Sequence, residues 1–259
     1  MTFLKNGFIL VKNVLSEKEI ENLITQIDIN FELNSKNNVI SEGFIRNGVV
    51  KNSLISPIIY HPEILKIVKN FLGENIKFLR HNSIIKNFSG GQWHRDSVIK
   101  TYENGEHWNH HEPYNIIRVA LYLQDSKTSK FKLGFIKKSN LGRIPILEKN
   151  SILLKYLTAI EKRISTLNLK NYYFPFFGRC SYVQIEKGDV ILFDPRIYHR
   201  GTNALGKKNA AIFAYGIENY HFIQHREHYL TQSEYSIFPT ALKNELEKRN
   251  LLDSITQNS

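Results

Sequence analysis

Cysteine is all but missing from this chain of 259 residues, where Cys180 stands alone. One thiol rules out an internal disulfide and any cysteine-built zinc cage. A bound metal would have to be held by histidine, aspartate or glutamate, which favours a hard or borderline ion. Long apolar runs are missing too. Nothing approaches the ~18 consecutive apolar residues that cross a bilayer, and the opening MTFLKNGFIL lacks the basic region, apolar core and cleavage site of a secretion signal. The expectation is a cytoplasmic protein with no membrane partner. The formal charge is +11, yet no run of Lys or Arg exceeds two residues and no basic cluster is interleaved with aromatics. Nucleic acid is therefore disfavoured as a partner, and an anionic small substrate or cosubstrate accounts for basic residues more simply. Internal repeats, linkers and low-complexity segments are absent as well, so residues 1–259 read as one domain.

What is present is an ordinary globular balance, 42% hydrophobic and 23% charged residues, which excludes disorder and fibrous repeats. GFILVKNVLS reads as an opening strand. SEKEIENLITQI then carries a capping box, Ser16 with Glu19 three residues on. HPEILKIVKNFLG places Ile64, Leu65, Val68, Phe71 and Leu72 along a helical stripe between Pro62 and the stop at Gly73. From residue 76 the pattern changes to short β-branched and aromatic runs: IKFLRHNSIIKNF, YNIIRVALYLQ, SYVQI, GDVILFD and NAAIFAYGI. Residues 1–75 are thus expected as a helical flank, 76–220 as a β domain and 221–259 as a helical C-terminal segment. Leu153, Leu157, Ile160, Ile164 and Leu167 recur at helical spacing and predict an amphipathic helix inserted near 148–168, packed on the sheet or closing over a site.

The stretch GGQWHRDSVI carries the first chemistry. His94 and Asp96, two residues apart, point to one side of an extended chain, so both can reach one cation. Two other pairs share that spacing, His110 with Glu112 and His225 with Glu227. Downstream, GDVILFDPRIYHRG ends a strand and sets His199 just beyond Pro195. His94, Asp96 and His199 together have the composition of the two-histidine, one-carboxylate triad that holds non-haem Fe(II). Too little chain follows His225 and Glu227 to add a distal ligand and a closing strand, so that pair reads as a solvated helix or loop. His110 and Glu112 lie among turn residues and read as an exposed or substrate-contacting loop. His61, His81, His107, His111, His221 and His228 have no pairing signature and read as surface or packing histidines.

WHRD after a glycine-bearing loop, followed by GDVILFDPRIYHRGTN, resembles the phytanoyl-CoA dioxygenase-like family of Fe(II)/2-oxoglutarate oxygenases, and nearly the whole chain follows that family's order. The resemblance implies a mainly β fold with flanking helices, a double-stranded β-helix barrel of the jelly-roll, cupin-like kind. It makes His94, Asp96 and His199 the metal ligands and catalytic centre. It also implies 2-oxoglutarate as cosubstrate, decarboxylated to succinate and CO2 while a C–H bond of a small polar or anionic metabolite is hydroxylated. Halogenating relatives have Gly or Ala where Asp96 stands, which favours hydroxylation. Lys208, in KKNAA, takes the place of the family's Arg-x-Ala anchor for the far carboxylate of 2-oxoglutarate, with Thr202 beside it. Strand alternation sets Lys208, Ala210 and Ile212 on one face and Lys207, Asn209 and Ala211 on the other. Lys86 matches a family lysine near the cosubstrate, and Arg118 is assigned to the same cofactor-binding set. Ile117, Arg118, Tyr122 and the loops 97–114 and 134–180 are expected to line the pocket. FKLGFIKKSN keeps Leu133 and Ser139 but lacks the family's Pro, Gly and His, a departure on the substrate side. Two alternatives stand beside this reading: a cupin-like metal enzyme that does not use 2-oxoglutarate, and a non-catalytic binding protein on the same fold.

Overall fold

In this computed structural model, which describes residues 2–36, 43–88, 91, 93–96, 112–141, 152, 156, 159–160, 180–202 and 204–254, the β-rich runs become strands. They are β1 (Phe8–Val11), β2 (Gly43–Arg46), β3 (Ile76–Lys86), β4 (Ile116–Tyr122), β5 (Leu133–Ile136), β6 (Cys180–Val183), β7 (Val190–Phe193), β8 (His199–Gly201) and β9 (Asn209–Ile217). A six-stranded antiparallel sheet has the order β1-β7-β4-β9-β3-β2, and a three-stranded one the order β6-β5-β8. Phe8, Ala120 and Phe193 from the first pack with Leu133, Phe135 and Val183 from the second, so the two form a jelly-roll sandwich. Among the described residues the two sheets are not hydrogen-bonded to each other, and the expected mainly β jelly-roll with flanking helices is the architecture observed.

The helices are α1 (Thr2–Asn6), α2 (Glu17–Lys36), α3 (Gly48–Lys51), α4 (Pro62–Leu72), α5 (Ser126–Ser129), α6 (Tyr220–Leu230) and α7 (Thr240–Lys248). α1 to α4 and α7 cover the outer face of the larger sheet, whereas α6 packs through Phe222 on Leu79, Ile116 and Ala214 of its other face. The capping box forms: Ser16 N–H donates to Glu19 Oε2 at 2.8 Å, and Glu19 N–H reaches Ser16 Oγ at 3.4 Å. Ile20, Leu23, Ile27 and Phe31 on α2, with Ile64 and Val68 on α4, bury the apolar stripe against Ile117, Val119 and Leu121 of β4. α4 ends at Gly73, whose φ of 89° suits a residue without Cβ.

Residues 1–75 do more than flank. β1 pairs with β7 at one edge of the large sheet, and β2 pairs with β3 at the other. β2 is too short, at four residues, for its alternation to stand out in the sequence. Within the expected insertion near 148–168, Ile152, Tyr156, Ala159 and Ile160 are helical, and Ile160 is exposed. Leu153, Leu157, Ile164 and Leu167 lie outside the described residues. No described helix is long and apolar enough to cross a membrane.

Candidate metal centre

Backbone bonds fix the two ligand-bearing segments against each other. His94 N–H donates to the His199 carbonyl at 3.0 Å, His199 N–H donates back to His94 at 2.9 Å, and Asp96 N–H donates to Pro195 at 3.0 Å. Trp93, buried beside His94, anchors this short stretch. The turn into β8 is braced in turn. Arg196 donates from Nε and NH2 to the two Asp194 oxygens at 3.1 and 2.8 Å, and Ser139 Oγ accepts from Tyr198 N–H at 2.8 Å. Glycine at 201 is required by packing, because a Cβ there would come within 2.7 Å of the Phe131 ring.

These constraints bring one donor atom from each of His94, Asp96 and His199 within 4.8 Å of the others. Asp96 Oδ1 stands 3.7 Å from His94 Nε2 and 3.6 Å from His199 Nε2. Ligand bonds of about 2.1 Å put two donors of one ion about 3 to 4 Å apart, so the donor set fits a single cation. His199 Nδ1 lies 3.0 Å from the Ile197 carbonyl, which only accepts, so Nδ1 carries the proton and Nε2 keeps its lone pair for a metal. Burial, reinforced by the nearby charge of His94, lowers the His199 pKa to about 4, leaving the neutral imidazole that ligation needs. For Asp96 the largest influence is burial, which opposes ionisation. Arg118 and then His199 outweigh it and hold the carboxyl well below the usual carboxylate range.

The triad opens onto a cavity of about 530 Å³ whose walls come from both sheets and from α6. Lys208 lines it and is buried, whereas Lys207 is exposed. The Lys208 ammonium donates to the Phe88 carbonyl at 2.5 Å and lies 3.9 Å from the Phe131 ring centre and 5.6 Å from that of Tyr122. Among the described residues no carboxylate partners it, and burial lowers its pKa to about 7. Arg118 and Tyr122 share the cavity face of β4; Ile117, one residue out of phase, turns instead to the helical core. Lys86 is not brought to the cavity. Its neighbour Ile85 takes that face, and Lys86 pairs with Asp28 of α2 at 2.7 Å on the other side of the sheet. Thr202 is buried, and its hydroxyl oxygen accepts from Lys132 N–H at 2.8 Å, bracing the start of β5. Of the expected lining loops, 97–111 and 142–179, apart from Ile152, Tyr156, Ala159 and Ile160, lie outside the described residues.

This architecture has solved counterparts. The chain shares its fold with HygX. A structure of HygX from Streptomyces hygroscopicus with nickel and 2-oxoglutarate bound is similar over 84% of this chain and 85% of that one, with 16% identity and a TM-score of 0.59. EctD from S. alaskensis, with 2-oxoglutarate and 5-hydroxyectoine, matches over 83% and 73% at 13% identity and 0.58. The non-heme alpha-ketoglutarate-dependent epimerase SnoN from nogalamycin biosynthesis matches over 83% and 78% at 11% identity and 0.57. No family model matches the chain, and no curated protein matches it. At these identities the likeness establishes the fold.

One wall of the cavity is not legible in the sequence. His81, His228, Tyr229, Gln232 and Tyr235 line it, carried by β3, α6 and the turn after α6. Tyr229 stacks on His81 with ring centres 4.0 Å apart, and its hydroxyl lies 3.0 Å from His81 Nε2. His225, expected to be solvated, is fully buried on α6 beside Tyr229, while Glu227 stays exposed. Two residues apart on a helix, they diverge and cannot share an ion. Glu112 closes the start of α6, its Oε2 accepting from Tyr220 N–H at 2.7 Å, and His110 lies outside the described residues.

Proposed function

We propose that the chain is an Fe(II)- and 2-oxoglutarate-dependent oxygenase that hydroxylates a C–H bond of a small polar or anionic metabolite. One observation carries the reading: a two-histidine, one-carboxylate donor set and a buried ammonium with no carboxylate partner among the described residues share a single cavity. Fe(II) with 2-oxoglutarate, when bound, supplies dioxygen activation coupled to decarboxylation, with succinate and CO2 as coproducts.

His94, Asp96 and His199 would hold the metal on one face and leave positions open for the 2-oxo acid and dioxygen. Lys208 would take the far carboxylate. Arg118 and Tyr122 are four residues apart on β4, about 13 Å of strand, so the ligand end and the lysine end of the cavity are separated along one rigid element. Phe131, Leu133 and Ile212 line the same cavity and keep water from the buried carboxylate contact. The sequence resemblance to the phytanoyl-CoA dioxygenase-like family supports this assignment, as do fold neighbours solved with 2-oxoglutarate. HygX has also been solved with hygromycin B alongside nickel and 2-oxoglutarate, which favours a small-molecule substrate here.

Calorimetric titration of 2-oxoglutarate into anaerobic protein, with and without Fe(II), tests the reading. Binding that depends on the metal is expected. Metal-loaded protein with no affinity for 2-oxoglutarate would overturn it in favour of a metal enzyme of another kind.

A further inference from the structure

We infer that Arg118 is a positioning residue for the carboxylate ligand: tied to a carbonyl freed by a bulge in β3, it holds Asp96 Oδ2 and presents Oδ1 alone to the two imidazoles. The inference rests on the metal site proposed above. Arg118 is only 3% exposed, and its Nε forms an ion pair with Asp96 Oδ2 at 2.9 Å, a charge contact outside hydrogen-bond alignment, while both histidine Nε2 atoms face Oδ1 at 3.6 and 3.7 Å. The two carboxylate oxygens therefore have different partners. Arg118 NH1 donates to the His81 carbonyl at 2.7 Å, which fixes the guanidinium from its far side.

That carbonyl is available because the β3–β9 register jumps from Leu79↔Ala214 to Ser83↔Ile212, four residues on one strand against two on the other. The excursion is a held feature. Asn82, fully buried within it, donates to the Arg80 carbonyl at 2.6 Å and to Asn47 Oδ1 at 2.8 Å, and accepts from Val49 and Val50 N–H at 3.1 and 3.3 Å. To reach His81 from β4, the Arg118 side chain must cross β9. The residue opposite it there is Ala214, whose methyl leaves a low crossing point.

A carboxylate held in this way binds an ion through one oxygen and leaves a coordination position that a two-oxygen grip would occupy. A guanidinium that merely contacted the cosubstrate would have no bearing on metal affinity in its absence. The test is anaerobic Co(II) titration without 2-oxoglutarate, by calorimetry and absorption, on wild type, Arg118→Met and Arg118→Lys, with thermal unfolding as the folding check. Arg118→Met should bind Co(II) about 10- to 100-fold more weakly and with an altered Co(II) spectrum, and Arg118→Lys should fall between. Should Arg118→Met fail to fold, Arg118→Lys, which keeps charge and aliphatic length, carries the comparison. Wild-type affinity and spectrum in the variants, with only the KM for 2-oxoglutarate raised, would overturn the inference. Failure of wild type to bind Co(II) would instead sink the metal site itself.

Discussion

Replacing Lys208 with methionine should move two measurements in opposite directions. Lys208 is 5% exposed; among the described residues its ammonium has one hydrogen bond, to the Phe88 carbonyl, and it sits over Phe131. Its pKa falls from 10.5 to about 7, a depression that withholds roughly 5 kcal/mol of native-state stability as an upper bound. Methionine keeps the aliphatic length and removes the charge, so the metal-free variant should unfold later, by roughly 2 to 5 kcal/mol in urea at neutral pH. The unfolded chain binds more protons than the native one between pH 7 and 10.5, so wild-type stability should rise with pH across that window and approach that of the variant. Affinity for 2-oxoglutarate should move the other way. Losing a charge-assisted contact of about 1.5 to 3 kcal/mol weakens binding about 10- to 150-fold. In wild type the dianion needs the ammonium form, so affinity should be full below about pH 7 and decline above it. Thermal and urea unfolding, with calorimetric titration at several pH values, read both effects. Unchanged cosubstrate affinity in Lys208→Met, or identical behaviour of Lys207→Met, would refute the reasoning.

Further outcomes follow from the same geometry. Asp96→Ala should abolish turnover and metal binding while the fold survives, as circular dichroism and metal titration would report; an active variant contradicts the ligand set. Metal-free protein should lose stability in acid through two windows. His199, with a native pKa of about 4, takes up its proton only on unfolding between pH 6.5 and 4, a contribution of up to about 3 kcal/mol. Asp96, with its native pKa depressed, adds a loss below the ordinary carboxylate pKa. The buried His81 and His225, whose pKa values burial also lowers, share that first window, so His199→Gln should reduce its slope in urea unfolding without abolishing it, and an unchanged slope would count against the burial argument. Limited proteolysis should not release residues 1–75 as a folded fragment, because β1 and β2 are hydrogen-bonded into the large sheet; recovery of such a fragment would show an independent module.

The convergence of His94, Asp96 and His199 was legible because its signal is local. His94 and Asp96 declare themselves by a spacing that an extended chain turns into a shared direction, and His199 by its place at a strand end. The helices bounded by Ser16 and Gly73 were legible for the same reason, through caps and stops encoded within a few residues. What escaped depends on partners distant in the chain. Lys86 has the right neighbourhood in sequence, yet alternation gives the cavity to Ile85 and sends Lys86 to Asp28. Ile117 errs by the same single step. β2, β5 and β8 are three or four residues long, too short to show a period; β2 is completed by the eleven-residue β3, while β5 pairs with β8 and with β6 in the smaller sheet. The bulge at His81 is fixed by Asn82 reaching Asn47 and α3, a tertiary contact with no local signature. His225 looked solvated because polar residues surround it in the sequence, and tertiary contacts bury it beside Tyr229 and His81, as Tyr114 and the Glu112 carbonyl bury His221.

The most direct test of the central claim is turnover itself. Purified protein supplied with Fe(II) and 2-oxoglutarate should consume dioxygen and release succinate and CO2 in matching amounts, slowly without a prime substrate, and Asp96→Ala should do neither. Dioxygen uptake without succinate, or no uptake by wild type that demonstrably holds Fe(II) at His94, Asp96 and His199, would contradict the account.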